Sequence, residues 1–144
     1  MKVLELAIFP YIMKKYNGMF KSLIQKYDIS QVEIDILAFL HNNPEYKHAQ
    51  DIVKIRAINK GHASIAIEKL VEKGLLQRIP DPQCRRCNLL ILTEAANQII
   101  KEIRIIQKQY EKNTYQNISK EDREIFDKTL YQMYINLGGY QDER

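Results

Sequence analysis

The stretch from residue 59 to 92, NKGHASIAIEKLVEKGLLQRIPDPQCRRCNLLIL, constrains the fold more than any other part of the chain. A short helical pattern runs into Lys73 and Gly74. Two apolar, strand-like runs follow, and the polar segment between them carries Arg85 and Arg86. A helix followed at once by a two-stranded hairpin with a basic tip is the layout of a winged helix-turn-helix. In that layout the helix enters the major groove of DNA and the hairpin reaches along the backbone into the neighbouring minor groove.

The rest of the chain is read around that unit. At 144 residues one domain with a real core is expected. Five Gly and four Pro leave little scope for long flexible linkers. No window reaches the roughly 18 consecutive apolar residues of a membrane span. Glu5 interrupts the apolar start and no small-residue cleavage site follows, which argues against a signal peptide. Two cysteines three positions apart do not make a secreted disulfide framework. A cytoplasmic protein with no membrane partner is the expectation.

The net charge of +4 is modest, but it is unevenly placed. Between Tyr46 and Leu90 nine Lys and Arg stand against four Asp and Glu, a net of +5, whereas the remaining 13 basic and 14 acidic residues sum to −1. The positive excess therefore lies in the suspected reading unit, where phosphate neutralisation needs it.

Along the chain, apolar residues recur at helical spacing from Leu4 to Tyr27, with Pro10 marking a first turn or a kink after a separate arm. Ser30, with Glu33 three residues on, opens a second helix that Asn42, Asn43 and Pro44 end. A short helix fits His48 to Arg56. Asn59 is placed to cap the next, whose core side is Ala63, Ala66, Ile67, Leu70 and Val71, and Gly74 closes it in a left-handed conformation. The hairpin is expected as strand Leu75 to Pro80, tip Asp81 to Cys87 and strand Asn88 to Leu92, with two prolines holding the tip extended. Thr93 is expected to cap a long helix with the stripe Ala96, Ile99, Ile103, Ile106 and Tyr110. Ser119 starts a last one with Phe126, Leu130, Met133 and Leu137 on one face, and residues 141–144 form a loose tail. Six helices and one hairpin result: a mainly α fold with a small β-hairpin wing. The outer helices carry more apolar surface than the central unit can cover, which points to burial against a second copy.

The order and local signatures resemble the MarR family of bacterial transcription regulators. The resemblance spans roughly Leu23 to Leu137 and rests on "IS" followed by "VEIDILAFL" (Ile29 to Leu40), "LVEKGLLQR" (Leu70 to Arg78), "DPQCRR" (Asp81 to Arg86) and "LLILTEAA" (Leu89 to Ala96). It implies one domain in two lobes. Residues 30–92 would form the winged helix-turn-helix, and residues 1–28 and 93–140 the dimerisation helices. It also implies a homodimer on a pseudo-palindromic duplex operator, a repressor released by a small-molecule effector. On the reading helix Lys60, Gly61, His62, Ser64, Ile65 and Lys69 become candidates for base or phosphate contact. Arg85 and Arg86 take the wing. Ile65 stands where the family often has Arg, so a bidentate guanine contact is missing there. Cys84 stands where the family usually has Asp. Effector-lining candidates are Tyr11, Tyr16, Phe20, Phe39 and His41.

Three readings of the pair Cys84 and Cys87 remain open. Cys84 merely replaces Asp and Cys87 begins a strand; the pair is a redox couple activated by its neighbouring guanidinium groups; or it is half of a metal site that His62 or a partner subunit completes. The expectation is no metal and no cofactor. No nucleophile, phosphate loop or ligand spacing points to catalysis. A winged helix used for protein contact without DNA is the competing class.

Overall fold

The computed structural model describes the backbone of residues 3–141 and the side chains of residues 6–141. The element order is α1 (Val3–Gly18), α2 (Lys21–Tyr27), α3 (Gln31–Asn42), α4 (Ala49–Arg56), α5 (Lys60–Glu72), β1 (Leu76–Asp81), β2 (Cys84–Leu92), a 3-10 turn (Glu94–Ala96), α6 (Asn97–Thr114) and α7 (Lys120–Asn136). The fold is mainly α with one antiparallel hairpin.

Three helix starts follow local capping chemistry. Glu33 N–H donates to Ser30 Oγ at 3.2 Å, Asp122 N–H to Ser119 Oγ at 3.1 Å, and Gly61 N–H to Asn59 Oδ1 at 2.9 Å. Each cap satisfies an amide that the first turn leaves unpaired. Gly74 adopts φ +72, as the end of α5 requires. The Glu33 carboxylate is 2 % exposed yet paired, taking hydrogen bonds from Ser30 Oγ and from Lys73 Nζ at 2.8 Å. Lys73 also donates to the Asp28 carbonyl. The start of α3 is thereby tied to the end of α5.

Several expectations are corrected. The apolar period from Leu4 to Tyr27 is two helices, because the chain turns at Met19 and Phe20 and sends Phe20 fully into the core. Pro10 lies inside α1, so residues 3–9 are not a separate arm; one missing backbone donor did not stop the helix. The count is thus seven α-helices among the described residues, one more than expected. His48 is not a helical residue but the N-cap of α4. Thr93 makes no cap bond with its side chain; its hydroxyl donates to the Gly74 carbonyl at 2.6 Å, and a 3-10 turn intervenes before α6. Of the expected loose tail, residues 142–144 lie outside the described residues.

The core is built where α3 packs on α5 and α6. Ile34, Ile36 and Leu37 of α3 meet Ala66, Ile67 and Leu70 of α5 and Ile99, Ile100 and Ile103 of α6, with Phe20, Leu23, Ile52, Leu76 and Leu90 closing the periphery. Each large side chain so buried contributes about 1.5–3 kcal/mol. At one edge, Glu102 of α6 accepts from Lys26 Nζ at 2.8 Å, Tyr27 Oη at 2.6 Å and Gln98 Nε2 at 3.1 Å. These donors, Lys26 foremost, pull its carboxyl down to about 2. The edge pins α2 to α6. By contrast, α7 buries none of its residues.

Candidate nucleic-acid interface

Helix α5 divides cleanly. Ala63, Ala66, Ile67 and Leu70 are buried, while Lys60, Gly61, His62, Ser64, Ile65, Glu68 and Lys69 face outward. All six reading-helix candidates therefore lie on its exposed surface. Gly61 has a local reason to be glycine, since a Cβ there would sit 3.2 Å from the capping Asn59 Oδ1.

The hairpin pairs Leu76 with Leu92 through Pro80 with Asn88, then jumps so that Asp81 pairs with Cys84. This corrects the expected long tip. The turn itself is Pro82 and Gln83, and Arg85, Arg86 and Cys87 belong to β2 as residues without ladder partners. Pro80 supplies the reason, for it has no N–H to continue the ladder. Both arginines are exposed on this bulge.

Cys84 and Cys87 are bonded to each other, S–S 2.02 Å, closing a short ring around Arg85 and Arg86. Both sulfurs are thus occupied. Among the described residues no group of three or more His, Cys, Asp or Glu is arranged to hold a metal ion.

Two side chains that the sequence reading passed over anchor the wing. His48 Nε2 lies 2.8 Å from Asp81 Oδ2, and His48 N–H donates to Asp51 at 3.1 Å. Asp81 Oδ1 accepts Gln83 N–H at 2.9 Å across the turn. The backbone donor of Gln83, and then His48, hold the Asp81 carboxyl below its ordinary value. Leu90 N–H also donates to the Lys47 carbonyl at 2.7 Å, so the segment before α4 runs alongside β2. The Asp-Pro-Gln turn was the available signal for Asp81, because Asp commonly bonds a backbone amide two residues on; nothing local marks His48 as its partner.

A cleft of about 1010 Å³ opens between the start of α4, the first half of α5 and the wing, lined among others by Lys54, Lys60, Ser64, Arg78, Arg86 and both cysteines. Seven of the nine basic residues between Tyr46 and Leu90 fall into two groups. Arg56 pairs with Asp35, Lys73 with Glu33 and Arg78 with Glu68. Lys60, Lys69, Arg85 and Arg86 form no ion pair among the described residues and stay solvated. Solvated cations at both walls of a cleft can neutralise phosphates on two strands of a duplex.

The effector-lining candidates do not gather in this cleft. Phe20 and Phe39 are core. Tyr16 packs edge-on against Phe20 and Tyr110, each at 5.0 Å between ring centroids, and receives Gln107 Nε2 on its hydroxyl at 3.0 Å. Tyr11 and His41 are exposed.

The family model of the MarR family matches residues 27–86, the segment that carries most of this cleft. No curated protein matches the chain. Solved structures share the fold. A MarR-family transcriptional regulator from Silicibacter pomeroyi is 21% identical, with a TM-score of 0.80 over 95% of this chain and 90% of that one. A MarR-family regulator from Listeria monocytogenes, solved with a 26-mer DNA, is 16% identical, with a TM-score of 0.80 over 99% of each chain. BpsR of Bordetella bronchiseptica, whose DNA binding is regulated by 6-hydroxynicotinic acid, is 21% identical, with a TM-score of 0.69 over 88% of this chain and 96% of that one. Over residues 27–86 the sequence matches the MarR family model, and over nearly its whole length the chain shares the fold of solved MarR-family regulators.

Proposed function

We propose that this protein is a dimeric, sequence-specific duplex-DNA-binding regulator, a repressor that a small-molecule effector releases from its operator. The observation that carries the reading is a pair of solvated basic groups on opposite walls of one cleft, Lys60 on α5 and Arg86 on the wing, with Lys69 exposed further along α5 and Arg85 exposed next to Arg86. The protein acts by binding rather than by catalysis. DNA partnership implies a cytoplasmic location.

The chain works as one domain in two lobes. Residues 30–92 dock on DNA, and residues 1–28 with 93–140 pair with a second copy. Exposed Phe9 and Met13 on α1 and Ile125, Phe126, Leu130 and Met133 on α7 support the pairing, because so much apolar surface left in water is costly. Two-fold pairing puts the reading helices about 34–36 Å apart and makes the operator pseudo-palindromic. The effector lodges between the lobes near Tyr11, Tyr16, Phe20, Phe39 and His41, a lining that the family resemblance implies; ligand control of DNA binding in BpsR supports the existence of an effector.

The test is selection from a random duplex pool at low salt. A recovered inverted repeat supports the reading. No enrichment overturns it in favour of a winged helix that contacts protein.

The bond between Cys84 and Cys87 favours a second reading in which oxidation sets the wing. Hydrogen peroxide would take two electrons from the two thiolates, whose sulfurs join as the peroxide and two protons become two waters; a dithiol reverses it. With the ring closed the arginines are held in place for DNA, so reduction weakens binding. Equal affinities of the reduced and oxidised protein for the selected operator, with Cys84→Ser unchanged in both, would dismiss it.

A further inference from the structure

We infer that Ile65 is a base-reading side chain that packs on the C5-methyl group of a thymine in each operator half-site. The inference rests on the DNA-binding reading above and adds what one side chain selects. Ile65 is 58% exposed, at the centre of the α5 face opposite Ala63, Ala66, Ile67 and Leu70. Single exposed apolar residues are ordinary on protein surfaces, so exposure alone carries nothing. Its position does.

Among the described residues of 30–92, Ile79 is the only other large apolar side chain left exposed, and it stands on β1. The remaining exposed apolar surface belongs to residues 6–13 and 105–137. Ile65 is therefore no part of the surface assigned to pairing. One turn before it, Gly61 has no side chain, which opens the approach of a base edge to Ile65. Lys60 and Lys69 flank it with solvated charge. The acid on the same face, Glu68, is held by Arg78 at 2.8 Å, so it does not stand as a free anion against the phosphates.

Chemistry then narrows the target. Isoleucine has neither donor nor acceptor, so it cannot satisfy guanine N7 and O6 or the adenine edge. The apolar feature of the major groove is the thymine methyl group. A side chain that buries this methyl selects an A·T pair in one orientation, where an arginine at the same place would select guanine.

The experiment starts from the operator recovered by selection. Each thymine is replaced in turn by deoxyuridine, symmetrically in both half-sites, and affinity is measured with the parent and with Ile65→Ala. At one position the parent loses about four-fold per half-site, the worth of one buried methyl. Ile65→Ala binds more weakly than the parent, melts at the same temperature and no longer distinguishes thymine from uracil there. Tolerance of uracil at every thymine by the parent overturns the inference while leaving DNA binding intact. So does an unchanged uracil penalty in Ile65→Ala. Failure of the parent to bind any duplex overturns the DNA-binding reading itself, and this inference with it.

Discussion

The winged helix and the outer helices use similar amphipathic patterns and reach opposite ends. In α3 the apolar face of Ile34, Ile36, Leu37 and Leu40 is buried, and α5 and α6 close over it. In α7 the pattern of Phe126, Leu130, Met133 and Leu137 is as regular, yet none of the four is buried. The difference teaches that periodicity states which side of a helix seeks cover, not what provides it. For α3 the cover lies within the chain. For α7 the described residues of the chain provide none, and under the proposed pairing a second copy carrying the same surface supplies it.

The sharpest way to break this comparison is on α7. Phe126→Asp with Leu130→Asp is expected to halve the mass seen by sedimentation and to weaken operator binding by roughly 100- to 10,000-fold, since each half-site then binds alone. An unchanged mass would make the face an ordinary solvent surface. The same truncation placed in each region sharpens the contrast. Leu37→Ala should cost about 2–5 kcal/mol in denaturant unfolding at any protein concentration. Leu130→Ala should matter only where dimers unfold, so its melting shift should depend on concentration. Within the winged helix, Arg86→Ala is expected to weaken binding to all duplexes alike and to lower the salt slope by about 1; a changed sequence preference instead would move Arg86 from phosphates to bases. Asn59→Ala should lose about 1 kcal/mol of stability by freeing the amides at the start of α5.

The smallest effect concerns pH. Glu102 sits at about 2 against an ordinary 4.5, so its folded pKa is depressed. Its contribution is then fully present above about 4.5 and is lost as pH falls toward about 2. Acid titrations of Glu102→Gln and the parent should differ at neutral pH and converge through that window. A difference that persists below it would mean that the Lys26 and Tyr27 contacts are not its source.

Much of the fold was legible because its signals are local. Ser30, Asn59 and Ser119 each capture an amide within three residues, and Gly74 needs only its own backbone freedom. The outward side of α5 was legible too, since Lys60, Gly61, His62, Ser64, Ile65 and Lys69 lie away from its apolar face. The misses share a cause. Thr93 carries the signature of a cap, but its hydroxyl reaches Gly74, 19 residues away. Met19 continues the helical spacing of Ile12 and Leu23, which hid the turn signal of Asn17-Gly18, and the turn sends Phe20 into the core. The wing arginines were placed on a tip because pairing partners, not propensity, decide where a ladder shifts.

The sequence by itself determined the helix boundaries set by caps, the hairpin, the inward face of α5 and the segment that holds the positive charge. These depend on interactions within a turn or two, or on composition. Only the tertiary structure decided that His48 holds Asp81 and that Lys73 neutralises Glu33. It also decided that Arg56, Lys73 and Arg78 of the basic segment carry ion pairs while Lys60, Lys69, Arg85 and Arg86 stay exposed. The first two outcomes join residues 33 and 40 positions apart. A chain cannot state such pairings until its core has brought the partners together.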